Sequence, residues 1–427
     1  MKETYLWEEN IKIKSFPKLN NNIETDVLII GGGITGILCA YELKKRNIKY
    51  VLVEKDKIGN STTKKTTAFI TAQHETLYQD LIANFGKDVA KQYLDINLKS
   101  IKWYEELATK YSFDFRKCNS TLYSQRDTNV ILKEKEALET LGYKATLIDK
   151  LPINLPINIG ISFENQAQLH PLKLISEISK ELNIYEDSKV SKLKSNVAYV
   201  NNYKINFKNV IIATHYPFKN ISGFYFTKLT QRRSYVVSIK NQQIDGTYCC
   251  IDDDGLYFRS FEEFLIIGGN DRDTKNDVHT KFTDKVKDLN FIDINHSWSG
   301  QDCTTLDGIP YIGRLDRFNQ NYYVATGFNL WGFTWAMASS FILADLIENK
   351  NSYEFVSPQR SMNKKALLAN LKTSLKNLVT LKTPRCKHLG CSLKYNEIEG
   401  VFECPCHGSR YDINGNILDG PTKRNLK

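Results

Sequence analysis

No apolar run in the sequence approaches the roughly 20 residues that a membrane-crossing helix needs; the longest, such as Phe341 to Ile347, fall far short of it. No transmembrane segment is expected. Met1 to Lys18 (MKETYLWEENIKIKSFPK) carries charges throughout and has neither an apolar core nor a small-residue cleavage site. It does not read as a secretory signal, and a cytoplasmic protein is expected. Internal repeats and low-complexity tracts are missing as well. So is a concentrated basic tract: the formal charge of +10 comes from scattered lysines matched by many acidic residues. That pattern describes a solvated surface and gives no reason to expect nucleic acid as a partner.

What is present is a 427-residue chain with 41% hydrophobic and 25% charged residues, enough for one or two sizeable globular cores. Its nine cysteines are unevenly placed. Cys39, Cys118, Cys249, Cys250 and Cys303 are dispersed, whereas four crowd between Cys386 and Cys406. Such crowding points to a metal site rather than a disulfide framework.

Asp26 to Ile30 (DVLII) reads as a short buried strand, Ile34 to Lys45 as a helix and Lys49 to Val53 as a second strand, together a β-α-β unit. Further strands are expected at Val210 to Ala213 and Tyr322 to Ala325, the latter leading through a glycine-rich turn into a helix from about Thr334 to Glu348. These returns, separated by long insertions, predict a Rossmann-like nucleotide-binding domain of α/β class built from discontinuous pieces, with a β-rich substrate domain inserted between them. The nucleotide-binding parts are expected at about 24–75, 160–220 and 296–350, and the inserted domain at about 76–159 and 221–295. Leu367, Leu371, Leu375 and Leu378 recur at helical spacing, so 361–382 is expected to be an amphipathic linker helix, and 383–427 a small terminal domain.

Gly31, Gly33 and Gly36 form G-x-G-x-x-G between the first strand and its helix, with Glu54 ending the second strand. Gly31 permits the tight turn, Gly33 lets the backbone approach a pyrophosphate and Gly36 lets helix and strand pack closely. The helix N-terminus, at Ile34 and Thr35, then offers N–H groups to phosphates. Glu54, next to Lys55, is placed to accept from a ribose hydroxyl. This is a complete dinucleotide context, but it does not choose between FAD and NAD.

The segment IGNSTTKKTTAFITAQH (58–74) resembles the stretch after the second strand in the D-amino-acid oxidase-like family of FAD-dependent oxidoreductases. The likeness extends to FENQAQLHPLKL (163–174), VIIATHYPF (210–218), WSGQDCTTLDGIPYIG (298–313) and YVATGFNLWGFT (323–334). It implies FAD, with Thr62, Thr66 and Thr67 beside the pyrophosphate and flavin and Val190 meeting the adenine through its backbone. Ala213 and Thr214 would end a strand near the same part of the cofactor. The turn at Gly327, Trp331 and Gly332 would aim the first helical N–H groups, from Phe333 and Thr334, at the flavin pyrimidine carbonyl, where a helix N-terminus stabilises negative charge. Some relatives bond flavin through a cysteine seven residues before the position of Asp307; here that position is Gly300, and the FAD is expected to be non-covalent. Cys303 reads as an ordinary buried cysteine.

In the terminal cluster, Cys386-Lys-His388-Leu-Gly-Cys391 is followed by Cys404-Pro-Cys406-His407-Gly-Ser409, so each half supplies one thiolate and one imidazole. The pattern resembles the two ligand boxes of Rieske [2Fe-2S] proteins, which implies Cys386, His388, Cys404 and His407 as iron ligands and a small all-β domain. Two cysteines and two histidines also suit zinc, but zinc would leave Cys391 and Cys406 unexplained. In respiratory-type Rieske proteins the matching cysteines form a disulfide, and residues matching Ser409 and Tyr411 bond cluster sulfurs. Such bonds imply a potential in the upper half of the range of roughly −150 to +300 mV. The sequence departs from that type because the linker runs almost into Cys386, leaving no room for the usual preceding strands.

The whole order is similar to a bacterial group of FAD-dependent oxidoreductases with a fused Rieske domain, related to gamma-glutamylputrescine oxidase. The likeness implies oxidation of an amine or amino acid at FAD and electron passage through the cluster to an external electron carrier. Reverse flow in a reductase and a redox sensor are the alternatives. For the substrate site the candidates are His74, Tyr235, Tyr257 and Arg259. Arg259 is a possible carboxylate ligand and equally a structural ion-pair partner. His170 and His215 read as supports of fold or cofactor.

Overall fold

The computed structural model describes residues 3–219, 221–240, 242–274, 281–291, 293–350, 353–361, 367–368, 370–372, 378 and 384–426. The expected β-α-β unit is β1 (Ile23–Ile30), α1 (Ile34–Lys45) and β2 (Tyr50–Val53). β1 sits inside an eight-stranded sheet, with parallel neighbours Tyr203–Ile212 and β2, and with Tyr322–Thr326 and Ile184–Tyr185 beyond them. Val27, Leu28, Ile29 and Ile30 are all buried, as a parallel strand covered on both faces requires. The helix Gly332–Ile347 packs on α1 and on the helix Lys87–Ala108, where Tyr104 donates to the Phe333 carbonyl at 2.9 Å and Trp103 stacks on Phe341.

The second sheet has nine strands. Its main path runs Ile294–Thr305, Leu229–Lys240, Phe264–Asp273, Leu256–Phe261, Thr247–Cys250, Arg116–Ser124, Ile159–Gln168 and Phe69–Ile70. Strand pairing crosses the expected domain limits here. Ile159–Gln168 and Ile294–Thr305, read as nucleotide-binding parts, pair in this sheet, because backbone pairing continues past the points where family-like motifs begin.

A third, four-stranded antiparallel sheet comprises Lys394–Asn396, Val401–Glu403, Arg410–Tyr411 and Ile417–Asp419. Among the described residues no strand of it precedes Cys386. Its small core is Cys386, Cys391, Leu393, Cys404, Cys406 and Tyr411. The expected linker helix falls largely outside the described residues. Of its described part, Asn370 donates to the Thr227 carbonyl at 2.9 Å, and Leu378 packs against the cysteine core. No helix among the described residues is long and apolar enough to cross a membrane.

Candidate functional site

The glycine turn has the crowding that a backbone-only phosphate cradle needs. Gly31 has φ +114°, a Cβ there would overlap the Ala213 carbonyl, and a Cβ on Gly36 would overlap the Gly31 carbonyl. Gly33 caps α1 without a side-chain bond. Ile34 N donates to Thr63 Oγ1 at 3.0 Å, so Thr63, the neighbour of the candidate Thr62, meets the helix N-terminus; Thr35 and Gly36 follow, buried. Nothing in the run STTKKTT distinguishes the two before the turn Thr62–Lys65 is seen. Glu54 accepts from Gly32 N at 2.7 Å and Asp56 N at 3.0 Å, and carboxylate oxygens keep further lone pairs for a ribose hydroxyl. Lys55 is exposed beside Asp56. Val190, on the strand Val190–Lys194, follows Ser188, whose N–H donates to the Glu54 carbonyl at 2.8 Å. Ala213 N donates to the Ile30 carbonyl at 2.9 Å, and Thr214 Oγ1 to that of Tyr216 at 3.0 Å. The turn before Gly332–Ile347 has positive φ at Gly327, Asn329 and Leu330. These residues fit a dinucleotide held by backbone.

Strand alternation divides the paired strands Leu229–Lys240 and Ile294–Thr305 into two chemistries. Register couples Arg232 with Asp302, Ser234 with Gly300 and Val236 with Trp298 on one face, and Gln231 with Cys303, Arg233 with Gln301 and Tyr235 with Ser299 on the other. The first face meets the expected flavin segment. Trp298 Nε1 donates to the Lys65 carbonyl at 3.0 Å, and the space above Gly300 opens onto that carbonyl, 3.3 Å from where a Cβ would stand. Cys303 belongs to the other face, buried with Gln231 Nε2 at 3.0 Å.

On the first face, Tyr257 donates to Asp271 at 3.2 Å, and Arg232 lies 3.9 Å from Asp271 and 3.6 Å from Glu75. Asp271 and Asp302 keep some accessible surface, yet burial pushes their carboxyls up to about 6 and about 7. Arg232, Tyr257, Asp271 and Asp302 are thus half-buried on this face, desolvated without being fully covered.

The second face carries the terminal domain. Gln301 Nε2 donates to the Gly408 carbonyl at 2.8 Å, and Gly408, at φ +72°, has no room for a Cβ against Gln231. The two ligand loops repeat one design. In each, the glycine N–H (Gly390, Gly408) donates at 2.9 Å to the carbonyl of the cysteine four residues earlier, whose own N–H donates at 2.8 Å to the fifth residue's carbonyl. Cys386 and Cys404 are brought into mutual contact, and the His388 and His407 rings lie 5.0 Å apart at 89°. Cys391 and Cys406 face each other sulfur to sulfur across the loops, with Cα atoms 6.8 Å apart. Tyr411 Oη is 3.6 Å from Cys386 Sγ, and Ser409 also bonds that sulfur. Two thiols and two imidazoles converging from two loops fit a [2Fe-2S] group.

Buried charge holds this domain against the second sheet. Glu399 accepts from Arg233 at 2.9 Å and from Arg410 and Tyr235, Glu403 pairs with Arg272 and Arg410 at 3.0 Å, and Asp419 pairs with Arg410 at 2.8 Å and Lys65 at 3.3 Å. Burial alone would raise the Glu399 carboxyl, but Arg233 and Arg410 hold it down to about 2. A depressed carboxyl contributes stability that is complete above its ordinary value near 4.5 and lost as pH falls through the folded value. Acid titration followed by limited proteolysis should therefore release the terminal domain between about pH 4.5 and about pH 2.

Of the four substrate-site candidates, only Tyr257 joins this group of half-buried polar side chains, through its bond to Asp271. Tyr235 is on the opposite face, bonded to Glu399 and 3.4 Å from Arg272, because odd-numbered residues of its strand point away from the flavin segment. Arg259 is buried, and its Nη1 donates to the carbonyls of Thr67 and Ala68 at 2.9 Å and of Leu169 at 3.2 Å. It clamps the flavin segment and, among the described residues, pairs with no carboxylate. Thr66 is held likewise, its carbonyl accepting from Trp7 Nε1 at 2.7 Å. His74 is buried and stacked on Trp331, with Nε2 2.8 Å from the Thr71 carbonyl and Nδ1 2.8 Å from the Tyr93 hydroxyl. Burial pulls its pKa down to about 3, so it is a neutral prop under the turn that precedes Phe333 and Thr334. His170 caps the helix Pro171–Ser179, and His215 sits at φ +62° between the two sites. Glu75, Arg232, Asp271 and Asp302 were not among the candidates. Alternation separates Arg232 from Arg233, but no local signal says which face meets the segment around Lys65.

Comparison with known proteins divides the chain in the same way. The model of the FAD dependent oxidoreductase family matches residues 26–346, and that of the Rieske [2Fe-2S] domain matches residues 360–427. The Rieske 2Fe-2S iron-sulfur protein YhfW of Bacillus subtilis is 31% identical over 100% of this chain and 97% of its own. The cytochrome b6-f complex iron-sulfur subunit 2 of Trichormus variabilis is 52% identical over 10% of this chain and 24% of its own. Glycine oxidase from Geobacillus kaustophilus superposes with a TM-score of 0.66 at 17% identity, covering 80% of this chain and 100% of its own.

Proposed function

Because the chain belongs to the FAD-dependent oxidoreductase family and carries a Rieske [2Fe-2S] domain after its flavoprotein body, we propose that it oxidises an amine or amino acid and delivers the electrons through the cluster to an external acceptor. FAD supplies a two-electron acceptor for a C–N donor, and the cluster supplies one-electron transfer. The observation that carries this reading is the two-faced sheet. The flavin segment at Lys65 and the cluster loop at Gly408 lie against opposite faces of the same two strands, with Gly300 on one side and Gly408 on the other keeping the layer thin.

Gly31, Gly33 and Gly36 with Thr63 and Glu54 would hold the dinucleotide non-covalently, since Gly300 offers no sulfur and Cys303 points to the far face. Cys386 and Cys404 would hold one iron and His388 and His407 the other, with Cys391 and Cys406 disulfide-bonded as a brace between the loops. Hydroxyls at the Cys386 sulfur support a raised potential. On the first face, Arg232 and Tyr257 orient the substrate, and Asp271 and Asp302, at about 6 and about 7, are poised to take a proton from a substrate ammonium near neutral pH. Glycine oxidase, an amino-acid oxidase by name, shares the fold, which agrees with a C–N donor.

Anaerobic titration with a panel of amines and amino acids, reading flavin absorbance and cluster EPR together, tests the proposal. The expected result is a substrate that bleaches the flavin and then changes the EPR signal. A substrate that reduces the flavin while the EPR signal never moves would sink the route.

A further inference from the structure

The two histidines of the cluster loops face different surroundings. His407 is 1% exposed, and its Nε2 lies 2.8 Å from the Phe226 carbonyl, inside the contact with the flavoprotein body. No external protein can reach that edge. His388 is only partly covered, with its ring edge-on to Tyr216 at 5.8 Å. Beside it opens a groove of about 470 Å³ lined by Lys387, Lys423, Arg424 and Asn425. Lys423 is held there by donating to the Phe218 carbonyl at 2.8 Å, close enough for its charge to act on the His388 ring. Lys189 and Arg424 stand near enough to Lys423 to repel its charge. Among the described residues, three cations and no carboxylate line the groove, with a fourth beside it, next to the partly covered His388.

We infer that this basic groove is the docking site of an acidic one-electron carrier protein of high potential, which exchanges electrons with the cluster through His388. The inference rests on the flavin-to-cluster reading above for the direction of flow. In each encounter one electron leaves the reduced cluster and reduces the carrier by one electron, with no bond made or broken. Complementary charge concentrates an acidic partner at the groove and makes association fall steeply with salt. A partner of this class is an acidic cupredoxin or an acidic cytochrome.

The test uses the holoprotein reduced with dithionite, which loads cluster and flavin directly and without substrate, and freed of excess reductant, so that a failed flavin-to-cluster step still leaves the cluster's own electron to be read. Acidic plastocyanin and basic cytochrome c serve as oppositely charged acceptors. Two readouts are taken over a series of NaCl concentrations: affinity from fluorescence anisotropy of the labelled acceptor, and electron transfer from stopped-flow absorbance. Plastocyanin is expected to bind more tightly and to react faster at low salt. The double variant K423E/R424E should cut both by about tenfold or more and turn the preference towards cytochrome c, with the cluster EPR signal unchanged. If that variant loses its cluster, K189E/R424E, outside both ligand boxes, makes the same test. Equal binding of the two acceptors by the unsubstituted protein, or an unaltered preference in an EPR-intact variant, would overturn the inference.

Discussion

Cys404→Ser is expected to abolish the Rieske EPR signal and bring bound iron close to zero, while the flavin spectrum and its bleaching by substrate persist. Serine is nearly isosteric, but its hydroxyl does not give up a proton as a thiol does, and only the deprotonated sulfur is a good iron ligand. Cys404 is buried in contact with Cys386, and it opens the loop in which Gly408 and Ser409 close back on it. Losing it removes one of two thiolates on one iron, which a [2Fe-2S] group does not survive. The flavin side is spared because the bonds of the glycine turn, Thr63 and Glu54 among the described residues are made within the flavoprotein body. Metal analysis and EPR read the first half, and anaerobic absorbance the second. Full iron in the variant would remove Cys404 from the ligand set, and stoichiometric zinc in the unsubstituted protein would replace the cluster with a structural site.

The parts of the molecule readable from sequence are those whose chemistry is local. β1, its glycine turn, α1 and Glu54 lie within about thirty consecutive residues, and their order alone implies the cradle. The two cysteine loops are likewise self-contained, each closed by its own glycine and its own backbone bonds. What could not be read depends on the direction in which a strand presents its faces. Tyr235 and Arg232 differ by three positions, so alternation puts them on opposite faces, and one meets Glu399 while the other meets Asp271. The faces exchange meaning if either neighbouring layer is moved, and no run of residues in LTQRRSYVV encodes where those layers are. Arg259 shows the same limit. A buried arginine near a flavin segment suits a substrate carboxylate as well as it suits the carbonyls of Thr67 and Ala68, and only the fold brings the carbonyls to it.

The docking of the terminal domain should depend most on Glu399. Its carboxylate meets Arg233 of the flavoprotein sheet, Arg410 of its own sheet and the Tyr235 hydroxyl, with Arg272 3.4 Å away. Arg233 is 1% exposed, and apart from Glu399 its bonds are to Ser299 and, at 3.5 Å, Asp419. Glu399→Gln keeps the shape but withdraws one of three carboxylates from a cluster that also holds three guanidiniums and the Lys65 ammonium. Breaking a buried pair by removing one partner costs about 3–5 kcal/mol, because the other charge stays out of water without compensation. That penalty falls on the contact between domains, so the variant should expose the terminal domain to proteolysis under conditions where the flavoprotein body stays resistant. Flavin-to-cluster transfer should slow while substrate still bleaches the flavin at its usual rate. Replacing both partners, Arg233→Met with Glu399→Gln, should recover part of the docking, since the stranded charge is gone. Buried ion pairs are seldom a large net source of stability. Their one-sided loss is expensive, and at this interface that expense is what would tie the cluster loops to the sheet they share with the flavin.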